Sequence, residues 1–318
     1  MTKTRIYFTT DIHGSEVCFK KFVNAGKFYK ADVLILGGDI TGKAVVPLIK
    51  ETDDTFHCTF LGEFIKVKKG GELDKLIQRI RSVGYYPYLT SPSEAEELSQ
   101  SKERLDAVFT NLMKESVRRW IEIAEQRLSN TGIKCYISPG NDDSYLIDPI
   151  LNKSKYIVNP DGKIVTINGG IEMISIGNSN ITPWKCPRDI PEEELLQKID
   201  SLASELKKPE KSIFNIHIPP YGSGIDLAPE LDEELAPKLE PGGRFKMISV
   251  GSKAVREAIL KYQPLLGLHG HIHESKGFFK LGRTLCLNPG SEYQEGILRG
   301  VLIQLSDSKV KDFIFVAG

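Results

Sequence analysis

The segment Ala31-Asp32-Val33-Leu34-Ile35-Leu36-Gly37-Gly38-Asp39, ADVLILGGD, decides the fold class. A short, continuous apolar run that stops at glycines is how a strand buried on both faces reads, because helices cover both sides of such a sheet. Upstream, RIYFTT (5–10) is β-branched and aromatic, and Glu16 to Tyr29 is an amphipathic run. The order is therefore strand, helix, strand, the unit of a parallel α/β sheet. Both strands stop at a carboxylate, Asp11 and Asp39. In open α/β sheets the ligand crevice lies beyond the carboxyl ends of the strands, so position alone nominates these two residues.

Working outward, the sheet pattern resumes at IKCYISPGND (133–142) and continues with strands expected near 164–168, 171–178, 212–217, 265–270, 284–290, 300–305 and 310–316. Helices fit 191–208 and 252–263. Between about 55 and 132 the texture changes to a hairpin turning near Gly62, a helix, and then one long or two abutting helices ending at Gly132. We expect a single domain over 1–318 that carries this largely helical segment as an insertion, either capping the site or forming a dimer face. GYYPYLT (84–90) reads as a packed aromatic cluster joining insertion to core rather than as an exposed recognition loop.

Lys+Arg and Asp+Glu balance at 42 each, so there is no global field to hold nucleic acid or an anionic membrane. The short runs KVKK (66–69) and KKPEK (207–211) read as solvated edges. Five cysteines, odd in number and with no CxxC pair, argue against a disulfide framework or a thiolate zinc site. With no signal-peptide pattern and no apolar window of the roughly 20 residues a membrane span needs, the expectation is a cytoplasmic protein.

The chemistry concentrates at the ends of the expected strands. Asp11 and His13, Asp39, Asn141, His217, and the trio His269, His271 and His273 in LHGHIHE all fall there. Five strands thus deliver metal-capable side chains to one edge, a stronger signal than any single motif. Imidazole with carboxylate and amide oxygen, and without thiolate, suits Zn, Mn, Fe or Ni. In extended chain, residues i and i+2 point to the same side, so Asp11 with His13, and His271 with His273, each reach a common centre. Gly38 and Gly140 precede ligands and permit close backbone approach. Even with His269 left aside, seven ligands exceed what one tetrahedral ion takes, and suit two ions about 3.5–4 Å apart.

The blocks DIH, GGD, GND, His217 and GHIH, in this order, resemble the calcineurin-like metallophosphoesterase superfamily. They span Asp11 to His273, most of the chain, with the insertion outside them, and NPGS (288–291) is similar to the family's closing strand and turn. The resemblance implies a two-sheet α/β sandwich flanked by helices. It further implies that Asp11, His13 and His273 bind one metal, that Asn141, His217 and His271 bind the other, and that Asp39 bridges. Two divalent ions are implied, with manganese expected and Fe, Zn or Ni as alternatives. Their residual positive charge would face a phosphoryl group while a metal-bridging hydroxide attacks it.

The sequence departs from that family at one place. The family's run is Gly-Asn-His followed by an acidic residue, the histidine protonating the leaving oxygen. Here the run is Gly140-Asn141-Asp142-Asp143. An aspartate beside a dication is ionised and a poor proton donor. This favours phosphodiesters with good leaving groups, the substrate being a phosphorylated small molecule or nucleotide. A phosphatase on a small phosphorylated metabolite is the alternative enzyme, and a non-catalytic scaffold on the same fold the alternative class. Asp39, Asn141 and Asp142 are the candidate catalytic residues. The segment 218–255 is a candidate substrate loop, with Tyr221 to stack and Arg244 or Lys246 to meet a phosphate. Ser252 fits either an anion site at a helix N-terminus or a plain N-cap. His269 fits a supporting or strand-core position, and His57 a partly exposed sheet histidine.

Overall fold

The computed structural model describes residues 3–306 and 309–318. The chain opens with β1 (Lys3–Thr9), α1 (Glu16–Phe28) and β2 (Val33–Leu36), the expected strand–helix–strand unit. It then leaves the sheet for β3 (Val45–Lys50), β4 (Thr55–Phe60), β5 (Glu63–Lys68), α2 (Gly71–Ser82), β6 (Tyr86–Thr90), α3 (Pro92–Gln100) and α4 (Lys102–Leu128). The sheet resumes with β7 (Lys134–Ile137), followed by α5 (Asp148–Leu151) and β8 (Ile157–Val158). The second half runs β9 (Ile164–Thr166), β10 (Glu172–Ile176), α6 (Glu192–Ala203), β11 (Ile213–Ile216), β12 (Leu227–Pro229), β13 (Met247–Ser249), α7 (Lys253–Tyr262) and β14 (Leu266–Leu268). It closes with β15 (Gly277–Leu281), β16 (Thr284–Asn288), β17 (Arg299–Ser306) and β18 (Lys309–Ala317).

These strands form two six-stranded sheets, ordered β18-β17-β1-β2-β7-β8 and β15-β16-β14-β11-β10-β9. Strand alternation explains the packing. In β1, Ile6 and Phe8 face the space between the sheets while Tyr7 faces outward; in β2, Val33 and Ile35 face in while Leu34 and Leu36 face out. The inner faces meet in one apolar layer with Met173, Ile213, Leu266, Leu287 and Val301 from both sheets. Helices cover the outer faces. On the first sheet α1 presents Phe19, Phe22 and Val23, and α4 presents Met113, Val117, Trp120, Ala124 and Leu128, a stripe at helical spacing. Phe19 and Trp120 stack with centroids 4.3 Å apart. On the second, Leu195, Ile199 and Ala203 of α6 pack beside Val255 and Ile259 of α7. The fold is thus a mixed α/β sandwich flanked by helices.

The segment between β2 and β7 differs from the expected helical insertion in two respects. It begins with a strand at Val45 rather than near residue 55, and its strands form a separate four-stranded sheet, β5-β4-β3-β6, with α2 packed on it through Leu73, Leu76 and Ile80. GYYPYLT therefore contains a strand, β6, with Tyr86 buried and its ring 5.5 Å from that of Phe109. In addition, α4 does not stand free: its apolar stripe is part of the core over the first sheet. Ser101 breaks the long helical run into two, ending α3 and capping α4 through Arg104 N. Besides β3 and β6, four strands had no counterpart among those expected: β8, β12 and β13, of two or three residues each, and the edge strand β15. Among the described residues no helix is long and apolar enough to cross a membrane.

Candidate metal centre

The site forms where loops following β1, β2, β7, β11 and β14 meet. The first two loops are bonded side by side: Asp11 N donates to Gly38 O, His13 N to Asp39 O and Gly14 N to Ile40 O, each at 2.9 Å. Asp11, His13, Asp39 and His271 all have left-handed backbone, with φ of 53°, 37°, 48° and 65°. Non-glycine residues rarely adopt this region, and it costs energy that the surrounding contacts must hold in place. Asp11 with His13, and His271 with His273, therefore share a direction because the chain turns sharply there, and not, as expected, because it is extended.

The glycines have a steric reason. A Cβ on Gly140 would lie 2.2 Å from Asp39 Oδ1, and one on Gly38, itself at φ 133°, 2.3 Å from His217 Nδ1. Nothing larger than hydrogen fits at either place.

The six charged or imidazole side chains expected here converge. Asp11, His13 and His273 each offer a ligand atom with all three atoms within 4.8 Å of one another, and so do Asp39, His217 and His271. The two groups abut: His13 Nε2 lies 3.6 Å from Asp39 Oδ2, and His217 Nε2 lies 3.7 Å from Asp11 Oδ1 and 3.3 Å from Asp39 Oδ2. Asn141 joins the second group with Oδ1 2.8 Å from His271 Nδ1. Its amide orientation is set because Nδ2 donates to Asp189 Oδ1 at 2.9 Å, a carboxylate that can only accept, which leaves the carbonyl oxygen facing the site.

A metal pair fits this donor set. Two carboxylates and four imidazoles are buried or half-buried around one point. His217 donates from Nδ1 to Gly37 O at 3.1 Å, which leaves Nε2 aimed at the two aspartates, buried and without a hydrogen-bond partner. Fixing one nitrogen on a carbonyl and presenting the other is how ligand imidazoles are oriented. The electrostatics agree. Burial alone would lower His217, yet the Asp39 and Asp11 carboxylates push it up to about 9. Burial would raise Asp11 and Asp39, but the facing His217 charge holds both below the ordinary carboxylate range. His271 and His13 are lowered by burial, to about 4 and about 3, and so keep a free lone pair at neutral pH.

Other expected residues lie elsewhere or do other work. His269 is fully buried, with Nδ1 2.8 Å from Ile216 O, inside the sheet rather than in the cluster. His57 sits on β4 beside Glu51, with Nδ1 3.0 Å from Oε1. Segment 218–255 is not a plain loop: buried Asp226 gathers the N–H groups of Gly222, Ser223, Gly224 and Gly251, and the chain then projects as the β12–β13 ribbon. Arg244 and Lys246 are exposed on that ribbon, outside the converging residues, and Lys246 is paired with Glu230. Tyr221 is half-exposed with Lys253 Nζ 5.7 Å from its ring centre. Ser252 is an N-cap, and the Glu192 carboxylate already accepts from Lys253 N and Ala254 N, so that helix terminus is filled by the protein's own anion.

Three supporting residues had no signal in the sequence reading. Asp143 is fully buried and accepts from Ile40 N, Thr41 N, Thr41 Oγ1 and Gly140 N at 2.6–2.9 Å, locking the loop of Asp39 to the loop of Asn141. Burial, with Asp39 nearby, pushes it up to about 6. Tyr293 packs its ring on His13, centroids 4.8 Å apart. Lys43 is paired with Asp142, whose Oδ2 is 3.7 Å from His13 Nδ1. A cavity of about 400 Å³ opens beside His273, lined by Lys276, Ser291, Tyr293 and Gln294.

Comparison with known proteins bears on the fold and the family. The profile of the calcineurin-like phosphoesterase family matches residues 4–275. Among curated proteins, the uncharacterized protein MJ1162 of Methanocaldococcus jannaschii is 34% identical over 154 residues, 48% of this chain. The chain spans 61% of the length of that relative. Among solved structures, TT1561 of Thermus thermophilus is 16% identical with a TM-score of 0.53, covering 100% of this chain and 99% of that one. Another solved structure reaches a TM-score of 0.57 at 17% identity over 98% of both chains. At such identities the likeness speaks for the fold, while the family match spans the whole run of blocks from Asp11 to His273. The chain belongs to the calcineurin-like phosphoesterase family.

Proposed function

We propose that this chain hydrolyses phosphodiesters with two divalent metal ions, manganese being the expected metal. The observation that carries this reading is the pair of abutting ligand groups, Asp11–His13–His273 and Asp39–His217–His271. Asp11, His13 and His273 would hold one ion, Asn141, His217 and His271 the other, with Asp39 between them. Bound there, such ions supply Lewis-acid charge to phosphoryl oxygens and make a water acidic enough to attack phosphorus at neutral pH.

The chain's own groups do the rest. Asp39 also accepts from Asp142 N at 3.0 Å, so one carboxylate both faces the ligands and fixes the turn that carries Asn141. Asp143 ties the same two loops from behind. At the position where the family carries its proton-donating histidine stands Asp142, an acceptor for the Lys43 ammonium. A carboxylate engaged in this way brings no proton to a departing alkoxide, and its charge opposes a doubly charged monoester more than a singly charged diester. Both effects support diesters with good leaving groups over monoesters.

The test is metal analysis of the purified protein together with hydrolysis of bis(4-nitrophenyl) phosphate and 4-nitrophenyl phosphate in the presence of Mn²⁺, for wild type and Asp39→Asn. Two ions per chain, and diester hydrolysis that falls at least about a hundredfold in the variant, are expected. A preference for the monoester would turn the reading to a phosphatase, and metal-free, inactive protein would turn it to a scaffold.

A further inference from the structure

Lys43 is a cation held beside the cluster by structure on both sides of it. The N–H of its neighbour Gly42 donates to the Tyr86 hydroxyl at 2.7 Å, and Lys43 N reaches Gly84 O at 3.3 Å, so the start of β6 and the turn before it anchor this stretch of backbone. The side chain is 40% exposed, and its ammonium rests on Asp142 Oδ2. Asp142 is itself part of the cluster's rim: His13, Asp39 and Asp142 each offer an atom within 4.8 Å of the others. The Lys43 ammonium is therefore one carboxylate away from the ligands, open to solvent, on the side where the family's histidine is missing.

We infer that Lys43, presented by Asp142, binds a non-bridging oxygen of the substrate phosphate, and that the Asp142–Lys43 pair sets the preference for singly over doubly charged esters. This rests on the phosphoester reading above. An ammonium has three donors, so it can meet a phosphoryl oxygen without releasing Asp142. As a point charge on a flexible stem, lysine suits phosphate oxygens that approach from the solvent side. The Asp142 carboxylate stays beside it and offsets part of its charge. One negative charge on the phosphate is then matched, and a second is not. The Tyr293 ring, packed on His13, also lines the cavity beside His273.

The decisive experiment compares Lys43→Met, Lys43→Arg and Asp142→Asn with wild type, all as metal-loaded full-length protein with metal content verified. Calorimetric titration with inorganic phosphate reads anion binding independently of turnover, and kinetics on the diester and the monoester read its use in hydrolysis. In Lys43→Met, phosphate affinity should fall about tenfold or more, and KM for the diester should rise by a similar factor with a smaller change in kcat. Lys43→Arg should recover most of both. Asp142→Asn should raise kcat/KM for the monoester relative to the diester. Unchanged phosphate affinity and unchanged KM in Lys43→Met overturn the inference, as does a wild type that binds no phosphate. A wild type that binds phosphate through Lys43 but hydrolyses neither ester leaves the lysine assignment standing and removes the hydrolytic reading.

Discussion

At the scale of the residue, what matters is how each candidate ligand is aimed. Three histidines in LHGHIHE are alike in the sequence, yet only His271 and His273 enter the cluster, while His269 turns into the sheet to donate to Ile216 O. Asn141 depends on a partner 48 residues away. Asp189 holds its amide nitrogen, and Asp189 is itself held by Thr182 N, Thr182 Oγ1 and Cys186 N. Removing such an orienting group typically costs a metal site about 10- to 100-fold in affinity. For Asp189→Ala we therefore expect metal affinity to fall about tenfold or more at one of two sites, with the other little changed. Competitive titration with a metal indicator checks this, and equal binding at both sites in variant and wild type would count against the orienting role.

At the scale of the element, the strands fix the direction of approach and the turns after them fix the site. Strands β1, β2, β7, β11 and β14 all end below the cluster, and the left-handed turns at Asp11, His13, Asp39 and His271 bring the side chains over it. These turns leave no room between loops. Gly140→Ala would set a Cβ 2.2 Å from Asp39 Oδ1 and 2.3 Å from Asp39 N, against backbone that cannot rotate away. We expect this variant to fold with a lowered melting temperature, by at least about 1 kcal/mol of stability, and to bind metal more weakly. An alanine substitution at Gly62, where a Cβ would meet nothing within 4 Å, is the steric control, though its φ of 79° carries its own backbone cost. A Gly140→Ala protein that melts and binds metal like wild type would remove the close-approach argument.

At the scale of the whole molecule, the two covered sheets hold at their strand ends a group of charges largely withdrawn from water, which is costly unless the charges pair. In the metal-free chain His217 is raised from 6.5 to about 9, so its stabilising attraction to Asp11 and Asp39 is complete below pH 6.5 and is lost as pH rises through about 9. The two aspartates are lowered from 3.8, so their share is present above that value and is lost in acid. Because burial lowers His13 and His271, which then bind protons better in the unfolded chain, metal-free stability should rise as pH climbs to about 6.5 and fall from there toward about 9. A metal held in the proposed way would take the His217 Nε2 lone pair and displace its proton, so metal affinity should climb as pH rises toward about 9. Thermal melts of chelator-treated and metal-loaded protein across this range provide the check. Loaded protein should gain most over stripped protein near about pH 9 and least near about pH 6; a gain independent of pH would contradict the assignment of His217.

Strand–helix–strand order, carboxylates and imidazoles at strand ends, and five spaced blocks are local patterns, and they were enough to determine the fold class and the family in the sequence alone and to nominate the side chains that converge. Alternating strand faces and helical stripes are periodic, so the residues that build the two sheets, apart from β8 and β15, and α1, α4, α6 and α7 were also legible. The remainder was decided by tertiary structure. The four-stranded sheet of β3 to β6 pairs segments that are individually short or proline-containing, and α4 joins the core only because α1 and the first sheet lie beneath it. Lys43, Asp143, Asp189 and Tyr293 act through contacts with residues far away in the chain or with loops folded against them, and no local pattern encodes such a pairing. A motif specifies which side chains are present, whereas the sharp turns and buried hydrogen bonds of the folded chain specify which nitrogen or oxygen each one presents.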